Sequence, residues 1–501
     1  MAGGGDPGNQ YFCTASRGLE QLLREELSLK LSASEVEPFS GKVFFTADAD
    51  LKKLKSLKCA ERLFLLVKKL PPIQVATHKG AKHCLWKGVH MLQKYVIGES
   101  SEWLNIVAKW KSLQDLNKEE ERISDNTRTG IKRPAQQESG ETRKRSKLEL
   151  GESPVTDFNE SPTGPHNTHS LIEECYQSKS PTQMPSSPDE LLNSKGQGAA
   201  SSMHFRVSCR CSGKIAKMIT SQELGRAIGV ALSRQMGWKA ELRNPVLEVY
   251  VHISDVHYVV GIPIVRLPLA RRDYIKSAGL RSTVAWAMAY LADIKAGSLV
   301  LDPMCGLGTI LLEAAKEWPT AYYHGVDNTA SQLQMASANV CFAKLTNSID
   351  LMRASVTELP LLTESMNVVI CDIPFGKKFK ISQDMKTIMP YILKEMVRVL
   401  SIGGTLVLLL SQELSLLMQQ WQKLKSHPND KGNIAVWQNP DTTPKDTDPV
   451  EHIDVQPISV EKEQSDVKTQ IFASLVPTGI FQVSLGVTEA AIHRYKKILI
   501  S

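Results

Sequence analysis

The stretch that decides the fold is GSLVLDPMCGLGT, at residues 297–309. Its first half is an apolar run that ends at Asp302, and its second half places Gly306 and Gly308 just before Thr309. A buried strand that breaks into a glycine-rich turn and then a helix lets the backbone approach a nucleoside-containing cofactor at the carboxyl end of the strand. The stretch therefore predicts an α/β domain with a loop for an adenosyl cofactor.

A second strand-and-turn motif lies downstream, in Asn367–Gly376 (NVVICDIPFG). Here an apolar strand ends in an acid-x-Pro-aromatic turn, which can hold and stack a planar amine. The Asp372 carboxylate and the Ile373 carbonyl would accept hydrogen bonds from the amine, Pro374 would fix the turn, and Phe375 would stack on the base. Asp372 would then accept the proton that is released on alkylation. The motif predicts a methyltransferase that acts on an exocyclic nitrogen.

The residues around both motifs alternate as in a doubly wound sheet. Strands are predicted near 298–302, 322–327, 349–355, 367–373, 404–411 and 481–486. The second strand ends at Asp327, 19 residues after Gly308, where a carboxylate can accept both hydroxyls of a ribose. The glycine turn lacks the Gly-Lys-Ser/Thr ending of a phosphate-binding loop, and Leu311 stands where a dinucleotide fingerprint needs a third glycine. Both departures favour S-adenosylmethionine as the cofactor.

Length and composition indicate a soluble protein of two or three domains, since 501 residues are too many for one core. The sequence has no run of eighteen apolar residues and no signal peptide, so we expect no membrane association and a cytosolic or nuclear location. The nine cysteines are scattered, which is typical of reduced thiols. Cys209 and Cys211 lack a second pair at zinc spacing, so no metal site is predicted.

Basic residues are concentrated upstream of the two motifs. Residues 1–300 carry 42 Lys and Arg against 32 Asp and Glu, a net of +10, whereas 301–501 carry 18 against 21, a net of −3. Such a surface suits phosphate neutralisation, although a solvated basic face explains it equally well. Polar segments at about 118–202 and 427–470 are predicted to be flexible insertions. Basic clusters at 132–133 and 143–147 resemble a bipartite nuclear import signal, which predicts the nucleus, with the cytoplasm as a second location.

Several stretches resemble one protein family. Gly237–Val249 resembles the second half of a THUMP domain, an α/β module that binds the end of structured RNA. Arg271–Tyr274, Leu280–Thr283 and Asp372–Gly376 are similar to motifs of THUMP-containing class I RNA guanine-N(2)-methyltransferases, and Arg17–Glu20 resembles their ferredoxin-like entry module. The similarity covers nearly the whole chain outside the insertions.

The resemblance implies a domain order. A disordered segment at 1–9 would precede a ferredoxin-like module at 10–75 and a THUMP domain at 76–266, which the first insertion interrupts. A Rossmann-like class I methyltransferase domain, with a mostly parallel sheet and helices on both faces, would occupy 267–501. The family also implies a structured RNA substrate, either transfer RNA or small nuclear RNA, and a small zinc-binding activator subunit as heterodimer partner.

The motifs and the resemblance together give a set of expected site residues. The cofactor would contact Asp302, Pro303, Cys305, Gly306, Gly308, Thr309, Asp327, Ser355 and Asp372. Substrate RNA would contact Arg271, Arg272, Arg281, Lys377 and Lys378. The sequence departs from the family at Ile373, where relatives commonly carry proline, and at Ser355, where they usually carry aspartate. These two departures keep an inactive RNA-binding protein open as an alternative. A methyltransferase for a protein glutamine or a DNA adenine also stays open, because acid-Pro-Pro-aromatic turns serve those substrates as well.

Overall fold

The computed structural model describes residues 8–72, 82–129, 203–277, 279–374, 385–423, 436–437, 468, 470–486 and 488–500. Two eight-stranded sheets organise this part of the chain. In the same ranges, no helix is long and apolar enough to cross a lipid bilayer.

The first sheet is built from the amino-terminal half. Its strands are β1 (Asn9–Thr14), β2 (Ser34–Phe39), β3 (Lys42–Ala47), β4 (Arg62–Leu70), β5 (His204–Cys211), β6 (Lys239–Ala240), β7 (Leu247–Ile253) and β8 (Tyr258–Pro263). Its helices are α1 (Glu20–Leu31), α2 (Leu51–Lys55), α3 (Lys82–Ile97), α4 (Ser100–Thr129) and α5 (Ser221–Met236), with a 3-10 turn at Ile215–Lys217.

The strand order of this sheet is β2-β3-β1-β4-β8-β7-β5-β6. The antiparallel pair β4–β8 joins the predicted ferredoxin-like segment to the predicted THUMP segment, so the two contribute to one continuous sheet. The sequence predicts two separate modules here, and the domain boundaries stay predictions.

Helix α4 extends into the predicted first insertion. The insertion is expected from about residue 118, but the helix continues to Thr129. Residues 117–123 (NKEEERI) include lysine, glutamate and arginine, which are strong helix formers. The remainder of this insertion, and most of the second one, lies outside the described residues.

The two faces of the first sheet differ. One face packs against α1 to α5, with Leu65 of β4 beside Ile262 of β8. The other face we call the curled face. Its side chains pack against one another and include Phe12, Phe39, Phe44, Phe64, Tyr250 and Val259. Phe39 of β2 meets His257, which precedes β8, with ring centroids 4.5 Å apart, although β3, β1 and β4 separate these strands in the sheet order. The sheet must therefore curl strongly.

The second sheet is built from the carboxyl-terminal half. Its strands are β9 (Leu299–Asp302), β10 (Tyr322–Asp327), β11 (Ile349–Arg353), β12 (Met366–Asp372), β13 (Leu400–Ser411), β14 (Val436–Trp437), β15 (Leu475–Ser484) and β16 (Glu489–Lys497). The helices are α6 (Ser282–Leu291), α7 (Thr309–Glu317), α8 (Ala330–Phe342), α9 (Met385–Val399) and α10 (Gln412–Lys423).

The strand order is β11-β10-β9-β12-β13-β16-β15-β14. Strands β9 to β13 run parallel to one another, and β16 is antiparallel to both β13 and β15. The six predicted strands and the mostly parallel sheet are confirmed. Strand β16 was missed, and it inserts between β13 and β15.

The two sheet assemblies share a packed junction. Helices α1 and α6 contribute Leu23 and Trp286 to the same apolar cluster. Next to it, the backbone N–H of Ser484 donates to the carbonyl of Arg17 at 2.9 Å. A Cβ on Gly18 would lie 1.7 Å from the carbonyl oxygen of Gln482, so the backbones of these two segments are in direct contact.

Candidate active site

Three carboxylates end three neighbouring strands of the second sheet. Asp302 ends β9, Asp327 ends β10 and Asp372 ends β12, with β9 between the other two. Because these strands are parallel, their carboxyl ends meet at one edge of the sheet, which we call the acidic edge. Open α/β sheets bind their ligands in the crevice at this edge.

Asp302 makes the acidic edge suitable for a cation. The side chain is buried, and its Oδ1 accepts a hydrogen bond from the backbone N–H of Met304 at 3.2 Å. Burial raises the pKa of Asp302 well above its usual value, and the charges of Asp372 and Asp327 raise it further. A cationic group placed among the three would relieve this repulsion and favour the ionised carboxylates.

The glycine loop has the strand-turn-helix geometry that the sequence predicts. Gly306 and Gly308 have φ of +51° and +75°, in the left-handed region that favours glycine. The N–H of Cys305 donates to the carbonyl of Val326 at 2.9 Å, and the N–H of Gly308 donates to that of Cys305 at 2.7 Å. Helix α7 begins directly afterwards, so its first N–H groups form an anion-binding end beside the acidic edge.

Asp327 holds this loop in place. Its Oδ2 accepts from the N–H of Gly306 at 3.0 Å, and its Oδ1 accepts from the N–H of Thr329 at 2.8 Å. A carboxylate has about four acceptor positions, so each oxygen retains capacity for a further donor. The geometry is compatible with the predicted ribose contact, which stays a prediction.

The turn after β12 contains the expected acid. Asp372 is half-buried, and burial raises its pKa to about 7. The Ile373 side chain is fully buried, and its N–H donates to the carbonyl of Leu409 at 3.1 Å. A proline here could not donate this hydrogen bond, which gives a structural reason for the departure from the family pattern. Pro374 is half-buried, and Phe375, with its predicted stacking, lies outside the described residues.

The remaining expected cofactor contacts differ in their burial and in their hydrogen-bond partners. Pro303 and Cys305 are buried in the loop. The Thr309 hydroxyl accepts from the N–H of Gly279 at 3.3 Å. Ser355 is exposed, and its Oγ lies 2.8 Å from the Thr357 Oγ1, inside its own turn. Their cofactor roles stay predictions.

Arg272 is not placed for the predicted RNA contact. Its guanidinium is buried, and its Nε donates to Glu313 Oε1 at 2.9 Å. Its Nη1 donates to the carbonyl of Leu269 at 2.6 Å and its Nη2 to that of Lys58 at 2.7 Å. Burial alone would lower the pKa of Arg272, but the Glu313 carboxylate outweighs it and the pKa is raised. Arg272 is therefore a structural residue of the junction.

The other expected RNA contacts differ in their surroundings. Arg271 is exposed. Arg281 is partly exposed, and its Nη1 donates to Glu61 Oε1 at 3.2 Å and to Ser16 Oγ at 3.3 Å. Lys377 and Lys378 lie outside the described residues. RNA contacts at these four positions stay predictions.

Asn339 is a site residue that the sequence analysis missed. It is fully buried on α8, where its Oδ1 accepts from the N–H of Ser277 at 2.9 Å. Its Nδ2 donates to the carbonyl of Ser277 at 2.9 Å and to that of Leu307 at 3.0 Å. One amide thus joins the glycine loop to the segment before α6. An asparagine inside a helix gives no local signal of such a role.

Metal binding has no obvious location in the described ranges, where no group of three or more His, Cys, Asp or Glu side chains could hold an ion. The acidic edge, the glycine loop and the start of α7 instead fit a ligand that carries a cationic centre, a ribose and a carboxylate. S-adenosylmethionine has all three.

Comparison with known proteins extends the similarity to the whole chain. The family model described as RMKL-like, methyltransferase domain, matches residues 270–434. The U6 snRNA (guanine-N(2))-methyltransferase THUMPD2 of Mus musculus is 44% identical over 99% of this chain and 92% of that protein. The Homo sapiens protein of the same name is 42% identical over 99% of this chain and 97% of its own length.

More distant relatives share the fold. The tRNA (guanine(6)-N(2))-methyltransferase THUMP3 of Bos taurus is 28% identical over 80% of this chain and 80% of its own. The crystal structure of TrmN from Thermus thermophilus superposes with a TM-score of 0.55 at 18% identity, over 98% of this chain and 99% of that chain.

Proposed function

The chain belongs to the THUMP domain-containing RNA guanine-N(2)-methyltransferases, and we propose that its substrate is a guanosine of U6 small nuclear RNA. One observation carries the choice of RNA. Relatives named for U6 snRNA are 42–44% identical over at least 98% of this chain, whereas mammalian relatives named for tRNA are 26–28% identical over 80–82%. A tRNA substrate is the alternative within the same family.

The cofactor is S-adenosylmethionine, which supplies an electrophilic methyl group on a sulfonium. The residues of the acidic edge fit its parts. Asp302 would accept from the ammonium, Asp327 would accept from the ribose hydroxyls, and the glycine loop would lie against the methionine and ribose portions. The buried and mutually repelling carboxylates favour a positive centre at this position.

Asp372 would perform the proton chemistry. The lone pair of the guanine N2 amine is delocalised into the ring, so the amine is a weak nucleophile. The Asp372 carboxylate and the Ile373 carbonyl would accept its two N–H groups and orient the lone pair for in-line attack. A pKa of about 7 lets Asp372 accept the released proton near neutral pH, and a positive sulfonium close by would favour its ionised form.

We further propose the zinc-binding activator subunit as a partner, docked at strand β11. This strand is an edge of the second sheet and leaves one row of backbone groups unpaired in the described structure. Exposed apolar side chains lie at Tyr322, at the start of the neighbouring strand β10, and at Phe342, at the end of α8, which packs near β11. Strand addition with burial of such side chains is a common recognition mode. The basic clusters at 132–133 and 143–147, outside the described residues, support a nuclear location with the cytoplasm as a second one.

The test is tritium transfer from labelled S-adenosylmethionine to U6 and tRNA transcripts in the presence of the activator subunit. The wild-type protein should label U6 RNA in N(2)-methylguanosine. Asp372→Asn should lose about a hundredfold in rate or more. The matched control Asp293→Asn changes an exposed carboxylate and should keep full activity. Label in tRNA alone would refute the U6 substrate, and full activity of Asp372→Asn would refute the role of that residue.

A further inference from the structure

The first sheet contains a buried lysine that has no acidic partner among the residues that the structure describes. Lys42, at the start of β3, is buried, and its Nζ lies 2.6 Å from His252 Nδ1 of β7. Within the described residues no carboxylate forms an ion pair with it, and its strongest charged neighbour is Arg210. Burial first, and then Arg210, lower the pKa of Lys42 to about 8, so it is mostly protonated at neutral pH. A buried cation without a counter-ion is unfavourable unless a ligand supplies one.

His257 is a second unsatisfied group at the same place. It is 6% exposed, and both of its ring nitrogens are buried without a hydrogen-bond partner in the described part of the chain. Its ring lies 5.9 Å from that of His252. Burial first, and then Lys42 and Lys69, lower the pKa of His257 to about 4, so the ring is neutral and carries one N–H. That donor has no acceptor here, which points to a missing acceptor.

Arg210 and Ser212 mark the solvent side of this cluster. Arg210 of β5 is exposed and lies opposite His252 in the β5–β7 register. The Ser212 Oγ lies 3.0 Å from His252 Nε2. The donors thus run from the exposed guanidinium inward to the buried lysine.

Two carboxylates in adjoining segments, on β2 and just before His257, already have partners. Glu37 pairs with Lys69 at 2.5 Å. Asp255 accepts from the backbone N–H of Lys214 at 2.8 Å and 3.0 Å. The cluster therefore has a surplus of donors and positive charge.

We propose that this end of the curled face binds a phosphate group, with Lys42 and His257 on the floor of the site and Arg210 at its mouth. A phosphate offers only acceptors and negative charge, which is what the three side chains lack. Arg210 can contact two of its oxygens at once. The site rests on the proposed function in one respect, since we assign the phosphate to the backbone of the RNA substrate. Lys42 belongs to the predicted ferredoxin-like segment and Arg210 to the predicted THUMP segment, so one phosphate would bridge the two.

Two measurements test the site on the full chain with its activator subunit. The first is the melting temperature during titration with inorganic phosphate, with chloride keeping the ionic strength constant. The second is U6 RNA affinity as a function of salt. Wild type should be stabilised by phosphate. Lys42→Met should be at least as stable as wild type in chloride, should not respond to phosphate, and should reduce the slope of log affinity against log salt by about 1.

Arg210→Gln is a second variant that leaves the core intact, and we expect the same losses from it. Lys52→Met is the control, because it removes an exposed lysine from α2, on the helix-covered face, and should keep the phosphate response and the salt slope.

Two further outcomes discriminate. A lower melting temperature of Lys42→Met in chloride, with no phosphate response in wild type, would overturn the site and make the Lys42–His252 contact structural. A phosphate response that Lys42→Met and Arg210→Gln abolish, without any change in the RNA salt slope, would support the site but overturn the RNA as its source in favour of a free phosphate compound. The phosphate titration needs no methyl transfer, so it supports or overturns the site even where U6 RNA proves not to be the substrate.

Discussion

Replacing Arg272 by glutamine should destabilise the protein and leave its RNA affinity unchanged. The Arg272 side chain is 3% exposed and that of Glu313 is 0% exposed, with their Nε and Oε1 atoms 2.9 Å apart. Without the guanidinium, the buried Glu313 carboxylate would lose its ion pair and keep only Lys58, which forms no ion pair with it among the described residues, as a positive neighbour. Removing one member of such a pair typically costs about 3–5 kcal/mol in the free energy of unfolding.

The assay is urea unfolding followed by tryptophan fluorescence, together with RNA affinity measured well below the unfolding transition. Arg271→Gln is the matched control, because this exposed neighbour should change the free energy of unfolding by less than about 0.5 kcal/mol. The double variant Arg272→Met with Glu313→Leu should recover most of the lost stability, since it removes both charges of the buried pair together. An unchanged unfolding midpoint combined with weaker RNA binding in Arg272→Gln would refute the assignment of Arg272 to the junction.

Three further predictions concern other parts of the molecule. Gly18→Ala should lower the melting temperature and reduce the free energy of unfolding by about 1–3 kcal/mol, because its Cβ would lie 1.7 Å from the Gln482 carbonyl oxygen. Gly237 also has a positive φ but has open space around its Cβ position, so an equally large loss in Gly237→Ala would contradict the clash as the cause. The kcat/KM for S-adenosylmethionine should rise with pH through about 7, because it reports the free enzyme, in which Asp372 has a pKa of about 7 and must be deprotonated to accept a proton, and a pH-independent kcat/KM between 6 and 8 would contradict this role. Asn339→Asp should raise the KM for S-adenosylmethionine about tenfold and leave the KM for RNA unchanged, because the amide that donates to two backbone carbonyls becomes a carboxylate that only accepts. Calorimetric titration with the cofactor checks the weaker cofactor binding.

The local features of the second sheet could be predicted from the sequence. Strands β9, β10 and β12 are apolar runs that each end in an acid, and a parallel sheet brings such ends together. The glycine loop was equally readable, because Gly306 and Gly308 immediately precede a helix. Strand β16 was missed because Glu489–Lys497 (EAAIHRYKK) mixes polar and apolar residues without clear alternation. Its assignment depends on pairing with β13 and β15, which is tertiary information.

Contacts between distant residues were not readable. The partner of Arg272 lies 41 residues downstream, and a run of two arginines looks the same whether it is exposed or buried. Lys42 and His252 are 210 residues apart and meet only because the first sheet curls. No periodicity in either segment encodes that curvature, since it arises from strand twist and from aromatic packing across the sheet.

The junction between the two sheet assemblies has a consequence for substrate choice. Backbone contact at Gly18, the buried pair of Arg272 and Glu313, and a shared apolar cluster leave no hinge there among the described residues. The amino-terminal sheet and the acidic edge are therefore held at a fixed distance from each other. If the RNA binds the first sheet, as we propose, only a nucleotide at a fixed distance along it would reach the acidic edge, so the architecture would select the target by its distance along the RNA as well as by its base.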